Sequence, residues 1–156
     1  MRQIIIAARG VTRWADAIQP LLLLVARVYV ASVFLRSGFI KLSDWSSTLA
    51  LFRDEYHVPL LSPDFAAVVG TFGETTFPIL VLFGLAGRLG ALGMFVVNAM
   101  AVVSYPQLWG FDCPAGIHQH FFWGATLLAL VAFGPGKWSL DTLILRKIDF
   151  EEREIA

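Results

Sequence analysis

Four ionisable side chains lie within or at the edge of long apolar runs: Arg27, Arg36 and Lys41 in residues 20–41, and Glu74 in residues 65–85. A carboxyl in such surroundings can exchange a proton, because desolvation favours its neutral form while a neighbouring cation favours the carboxylate. The three bases can donate hydrogen bonds to the oxygens of a small molecule. A charge inside a hydrocarbon layer marks a functional site by default, and its structural alternative is a buried ion pair that locks helices together. The sequence places Glu74 opposite Arg27 or Arg36 and does not choose between them.

Two further polar groups join the candidate ligand-binding set. Asn98 shares a small and polar helix face with Ala91, Ala101 and Tyr105, and suits an interhelical hydrogen bond. His118 aligns with Phe122, Ala125, Ala129 and Ala132, a face expected to look into a bundle, whereas His120 is expected to face headgroups. Asp112, Cys113, His118 and His120 are the cluster with metal-ligand chemistry. Their spacing fits no compact zinc pattern, and helical His118 and His120 would point about 200° apart, so no metal is expected.

Helices that cross a bilayer must position these groups. The run 20–41 is long enough, since about 20 residues at about 1.5 Å each match a hydrocarbon core of roughly 30 Å. Residues 21–40 hold twelve Leu, Ile, Val and Phe side chains. Together these return roughly 4–7 kcal/mol on insertion, against at most about 6 kcal/mol for two central arginines. The segment inserts by a narrow margin. Further spans follow at about 65–85, 89–105 and 117–133. Pro78 lacks the N–H that would bond to the Glu74 carbonyl, so a kink is expected beside the acid.

Between the first two spans, Trp45, Leu49, Phe52 and Tyr56 form one apolar stripe on a helix too short to cross, capped by Ser43 or Asp44. It reads as an interfacial helix. Residues 1–19 read as an uncleaved arm skimming the membrane surface, and the amphipathic tail after Gly134-Pro135-Gly136 as a surface piece. The expected fold is thus all-α: a single-domain, integral membrane four-helix bundle with a short interfacial helix after the first span.

Composition agrees. Of 156 residues, 57% are hydrophobic and 15% charged, and the mean hydropathy is +0.69. A soluble domain of this size could not bury so much apolar surface. Net charge is zero, which gives no reason to expect a nucleic-acid partner. One cysteine excludes an internal disulfide and a CxxC redox pair. Eight Lys and Arg residues (Arg2, Arg9, Arg13, Arg88, Lys137, Arg146, Lys147, Arg153) fall on the side of the termini, and two (Lys41, Arg53) on the other. That bias predicts both termini in the cytoplasm.

Arg27, Gly38-Phe-Ile-Lys41, Val58-Pro59, Glu74, Gly84 with Gly87-Arg88, and Gly134-x-Gly136-x-x-Ser139-Leu-Asp141 occur in an order that resembles the DoxX family of small bacterial membrane proteins. The resemblance implies a four-helix bundle in the inner membrane and a link to respiratory or sulfur redox chemistry. Together with an acid and bases at similar depth, that link suggests a redox-associated subunit binding a quinone or similar lipid-soluble molecule, with Arg27, Arg36 and Lys41 on the head group, Glu74 exchanging a proton, and Phe34, Phe77 and Trp123 as aromatic walls. The competing reading is a non-catalytic assembly partner, channel or transporter component, in contact with a protein partner or a second copy through the face bearing Tyr29, Ser32 and Arg36. Whether the chain is an enzyme stays open at this stage.

Overall fold

A computed structural model of the chain describes residues 1–110 and 114–155. All regular structure among them is helical: α1 (Arg2–Ser43), α2 (Trp45–Asp54), α3 (Pro63–Phe83), α4 (Gly87–Ser104), a 3-10 turn (Pro106–Trp109), α5 (Pro114–Phe133) and α6 (Leu140–Ile155). Four helices are long and apolar enough to cross a membrane: Arg9–Ser43 within α1, then α3, α4, and Ala115–Phe133 within α5.

The arm expected over residues 1–19 is not a separate element. The backbone of α1 runs through Pro20 without a break, giving 42 residues in one helix. The span within it, at about 1.5 Å per residue, exceeds a hydrocarbon core of about 30 Å, so the turns bearing exposed Arg9 and Arg13 project beyond the apolar layer.

The four long helices close a ring, α1 against α3, α3 against α4, α4 against α5, and α5 back against α1. Leu23, Val30, Phe34, Val81, Ala91, Met94, Leu127 and Leu130 fill its centre. Gly38 sets the closest approach of α1 to α3: a Cβ there would sit 2.9 Å from the Glu74 carbonyl oxygen. That carbonyl is the one Pro78, inside α3, cannot serve. Helix backbones in lipid come together at small residues in this way.

Helix α2 folds over the end of α1. Asp44 caps it, accepting from Ser47 N at 3.0 Å and from the Ser46 and Ser47 hydroxyls at 2.7 and 2.6 Å, and the Ser47 and Ser46 bonds hold its carboxyl down at about 2. Thr48 Oγ1 donates to the Lys41 carbonyl at 2.9 Å. Phe52 packs on Ala66 and Ala67 of α3. Helix α1 therefore stops below the first turns of α3, and α2 covers the gap.

At the other end, Gly84 ends α3 in the left-handed conformation (φ 64°), which a side chain would strain. The Asp141 carboxylate accepts from Ala86 N and Gly87 N at 2.8 Å each, capping α4, and Asp141 N donates to the Gly84 carbonyl at 3.0 Å. Gly84, Gly87, Gly136, Ser139 and Asp141 thus form one joint between the α3–α4 turn and the start of α6.

Candidate functional site

The buried charges meet under α2. Lys41 Nζ and Glu74 Oε2 are 2.6 Å apart, and Lys41 also donates to Ser37 Oγ, one turn back, at 2.9 Å. The pair lines a polar chamber of about 190 Å³ together with Tyr56, Tyr105 and His120, walled by Phe34 and Trp123. Phe34 and His120 both meet Trp123 edge-on, at 5.8 and 4.9 Å between centroids.

Three chamber side chains are held from outside. Tyr105 OH donates to Glu55 Oε2 at 3.1 Å. Tyr56 packs edge-on to Phe52 and Tyr105, and burial, reinforced by the Glu74 carboxylate, pushes its phenol up to about 12. Asn98 Nδ2 donates to the His120 carbonyl at 3.0 Å, so Asn98 Oδ1 is the acceptor 2.9 Å from His120 Nδ1. The proton of the neutral ring is therefore on Nδ1, and Nε2 is left as an acceptor.

A second, larger space adjoins the chamber. It is an apolar groove of about 630 Å³ along α3 and α4, and it shares Tyr56, Glu74 and Ala101 with the chamber. Its wall runs from Ser104 to Leu89, roughly 22 Å along a helix at about 1.5 Å per residue. Ser104 is buried, and its hydroxyl has no hydrogen-bond partner among the described residues. Phe72, Leu92 and Val96 along the groove are exposed, so it opens sideways to lipid.

The structure corrects three readings of the sequence. Glu74 pairs with Lys41 and with neither arginine. Arg27 lies 14 positions from Lys41 on α1, about 21 Å away, fully buried against Gly84 and donating to the Trp138 carbonyl. Arg36 is exposed on the outside of α1, with no hydrogen-bond or ion-pair partner among the described residues. The histidines exchange roles: His120 turns inward on Asn98, and His118 is exposed. Asn98 acts on the chamber through His120. Asp112 and Cys113 lie outside the described residues.

Sequence reasoning gave Ser37, Tyr56 and Tyr105 no part in a site and turned His120 outward. Ser37 could have been found, four residues before Lys41 and so one helical turn away. Tyr56 and Tyr105 follow two different helices and become neighbours only when α2 folds back.

A membrane bundle with a polar chamber buried beside an apolar groove, sealed at one end by a short covering helix, is the class this geometry defines. Residues 22–107 match the DoxX family, and the chain belongs to it. It is 33% identical over 127 residues to an uncharacterized protein of Haemophilus influenzae, covering 78% of this chain and 82% of that one. It is 32% identical over 133 residues to the inner membrane protein YphA of Escherichia coli, covering 80% and 91%. No solved structure matches the chain.

Proposed function

We propose that this chain binds an amphipathic, lipid-soluble molecule of the quinone type, with the head group in the chamber and the tail in the groove. The observation that carries this reading is the sharing of Tyr56 and Glu74 by both spaces. A quinone head offers carbonyl oxygens, for which Lys41 and the neutral Tyr56 phenol are donors, while a quinol hydroxyl finds acceptors in Glu74 and His120 Nε2. Lys41 and Glu74 keep the roles the sequence suggested for them, and Arg27 and Arg36 drop out of the head-group set. The protein acts as a membrane subunit for such a ligand, and an electron donor would be a partner protein.

The inner-membrane name of the Escherichia coli relative supports the same location here, and the Lys and Arg bias supports termini in the cytoplasm. The chamber then opens near the outer leaflet. A solute path through the bundle is the weaker reading, because Val30, Phe34, Met94 and Leu127 pack the interior between the chamber and Arg27. Docking of a partner helix is favoured by one observation, the exposed Arg36 beside Tyr29 and Ser32 on α1.

The test uses purified protein in nanodiscs and decylubiquinone as the probe. Wild type should bind it saturably. Glu74→Gln should weaken binding about tenfold, one charge-assisted hydrogen bond at about 1.4 kcal/mol per decade. Val96→Trp, which fills the groove, should reduce binding of the tailed quinone and spare that of a tailless benzoquinone. Unchanged decylubiquinone binding in both variants overturns the proposal.

A further inference from the structure

The end of the bundle that carries both chain termini has a cavity of its own, about 570 Å³, between the start of α4, the α5–α6 linker and the Pro20 region of α1. Two cations line it, Arg88 and Lys137, and neither has a hydrogen-bond or ion-pair partner among the described residues. Arg88 is placed by Gly134, where an added Cβ would lie 3.3 Å from its Nε. Gly134 holds a positive φ of 77°, so the linker turns back over α4 at that point and leaves room for the guanidinium.

The acid in the wall, Asp141, is already engaged by the Ala86 and Gly87 N–H groups, with Arg27 behind it. Two cations against one engaged carboxylate leave the cavity positive. Its rim is apolar: Leu89, Phe133 and Leu145 are each at least 60% exposed. Phe133 is the last residue of its span and Leu89 the third residue of α4, so this rim lies where the helices leave the hydrocarbon. Exposed Trp138 next to Lys137 sits at the same level, as aromatic residues do at headgroup depth.

We infer that this cavity is a binding site for an anionic phospholipid. The phosphate lies between Arg88 and Lys137, and the acyl chains run down past Leu89 and Phe133. A soluble anion would gain nothing from the apolar rim, and a zwitterionic lipid brings its own ammonium against two cations. Basic pockets between transmembrane helices bind anionic head groups by the same chemistry. The site shares no residue with the chamber and only Leu89 with the far end of the groove, and its two cations take no part in the quinone reading.

Thermal unfolding and native mass spectrometry in dodecylmaltoside, with dioleoylphosphatidylglycerol, dioleoylphosphatidylcholine or inorganic phosphate added, test the inference. Phosphatidylglycerol should raise the Tm and persist as a one-to-one adduct, while the other two additions do neither. The double variant Arg88→Gln/Lys137→Gln should bind phosphatidylglycerol about tenfold more weakly. Arg36→Gln, a charge loss on the outside of α1, should bind as wild type does. Equal binding of phosphatidylcholine, equal stabilisation by phosphate, or an unaltered adduct in the double variant each overturns the assignment. The comparison of lipids on wild type stands even if the double variant does not fold.

Discussion

Lys41 of α1 and Glu74 of α3 form an ion pair at 2.6 Å with side chains only 9% and 13% exposed, directly above the contact between Gly38 and the Glu74 carbonyl. One helix turn of α1 thus supplies both the cation for the acid and the gap that lets the backbones close. The two features depend on each other. A bulkier residue at 38 separates the charges, and a lost charge leaves its partner stranded in a medium that does not solvate it.

Breaking the pair from one side should be worse than removing it. Lys41→Met or Glu74→Leu alone should destabilise the protein by about 3–5 kcal/mol, because each leaves a buried charge without its partner. The double variant should cost less than the sum of the two. Reversible unfolding in mixed micelles measures the cycle, and strict additivity would show that the two groups do not act on each other.

Gly38→Ala should cost about 1–3 kcal/mol, the usual range for an overpacked contact. Its Cβ would meet Thr75 Cγ2 at 2.7 Å as well as the Glu74 carbonyl at 2.9 Å. Gly10→Ala, whose Cβ meets nothing within 4 Å, is the matched control and should be neutral or gain up to about 1 kcal/mol from helix propensity. Equal Tm shifts for the two variants would remove the close approach as the cause.

The four spans and the covering helix were legible in the sequence because apolar length and capping chemistry are local signals. The inward face of α3, with Ala67, Thr71, Pro78 and Val81 buried, follows from its period. The partner of Glu74 was not legible. Lys41 lies two residues before the end of α1, which reads as the edge of the bilayer, and Glu74 lies near the middle of α3. Only tertiary structure shows that α1 ends early and that α2 roofs it, bringing both groups to one level. His120 reads as outward-facing in the sequence because Asn98, its partner, sits 22 residues away on another helix. Charge within an apolar run places Arg27 among the ligand groups, whereas its neighbours Gly84, Trp138 and Asp141 come from two distant parts of the chain.

Asp141→Ala should destabilise without touching the chamber. It removes two charge-assisted bonds to α4 at 2.8 Å each and the negative charge closest to buried Arg27. A loss of about 2–4 kcal/mol is expected from bonds worth about 1.5–3 kcal/mol each, partly replaced by water. Decylubiquinone affinity, read roughly 20 Å away along α1, should stay within a factor of about two at temperatures where the variant is folded. A large change in affinity with no change in Tm would place Asp141 in the ligand site instead.

Tyr56 gives the pH dependence. Its phenol titrates at about 12 in the folded protein, raised first by burial and then by the Glu74 carboxylate, against about 10 in the unfolded chain. Between these values the folded state holds a proton that the unfolded state has released. The unfolded state therefore binds fewer protons, and stability falls as pH rises through that window. Below about pH 10 the two states are equally protonated at this group and its contribution is constant. Tyr56→Phe should flatten the unfolding free energy between pH 10 and 12, and the phenolate absorbance of the folded wild type should include a component titrating near 12 that Tyr56→Phe removes. At neutral pH the phenol is protonated with or without this shift, so its hydroxyl is available as a hydrogen-bond donor beside Glu74. If the pH dependence above 10 is the same with and without Tyr56, its phenol is not buried between the chamber and the groove, and the shared wall on which the ligand reading rests is lost.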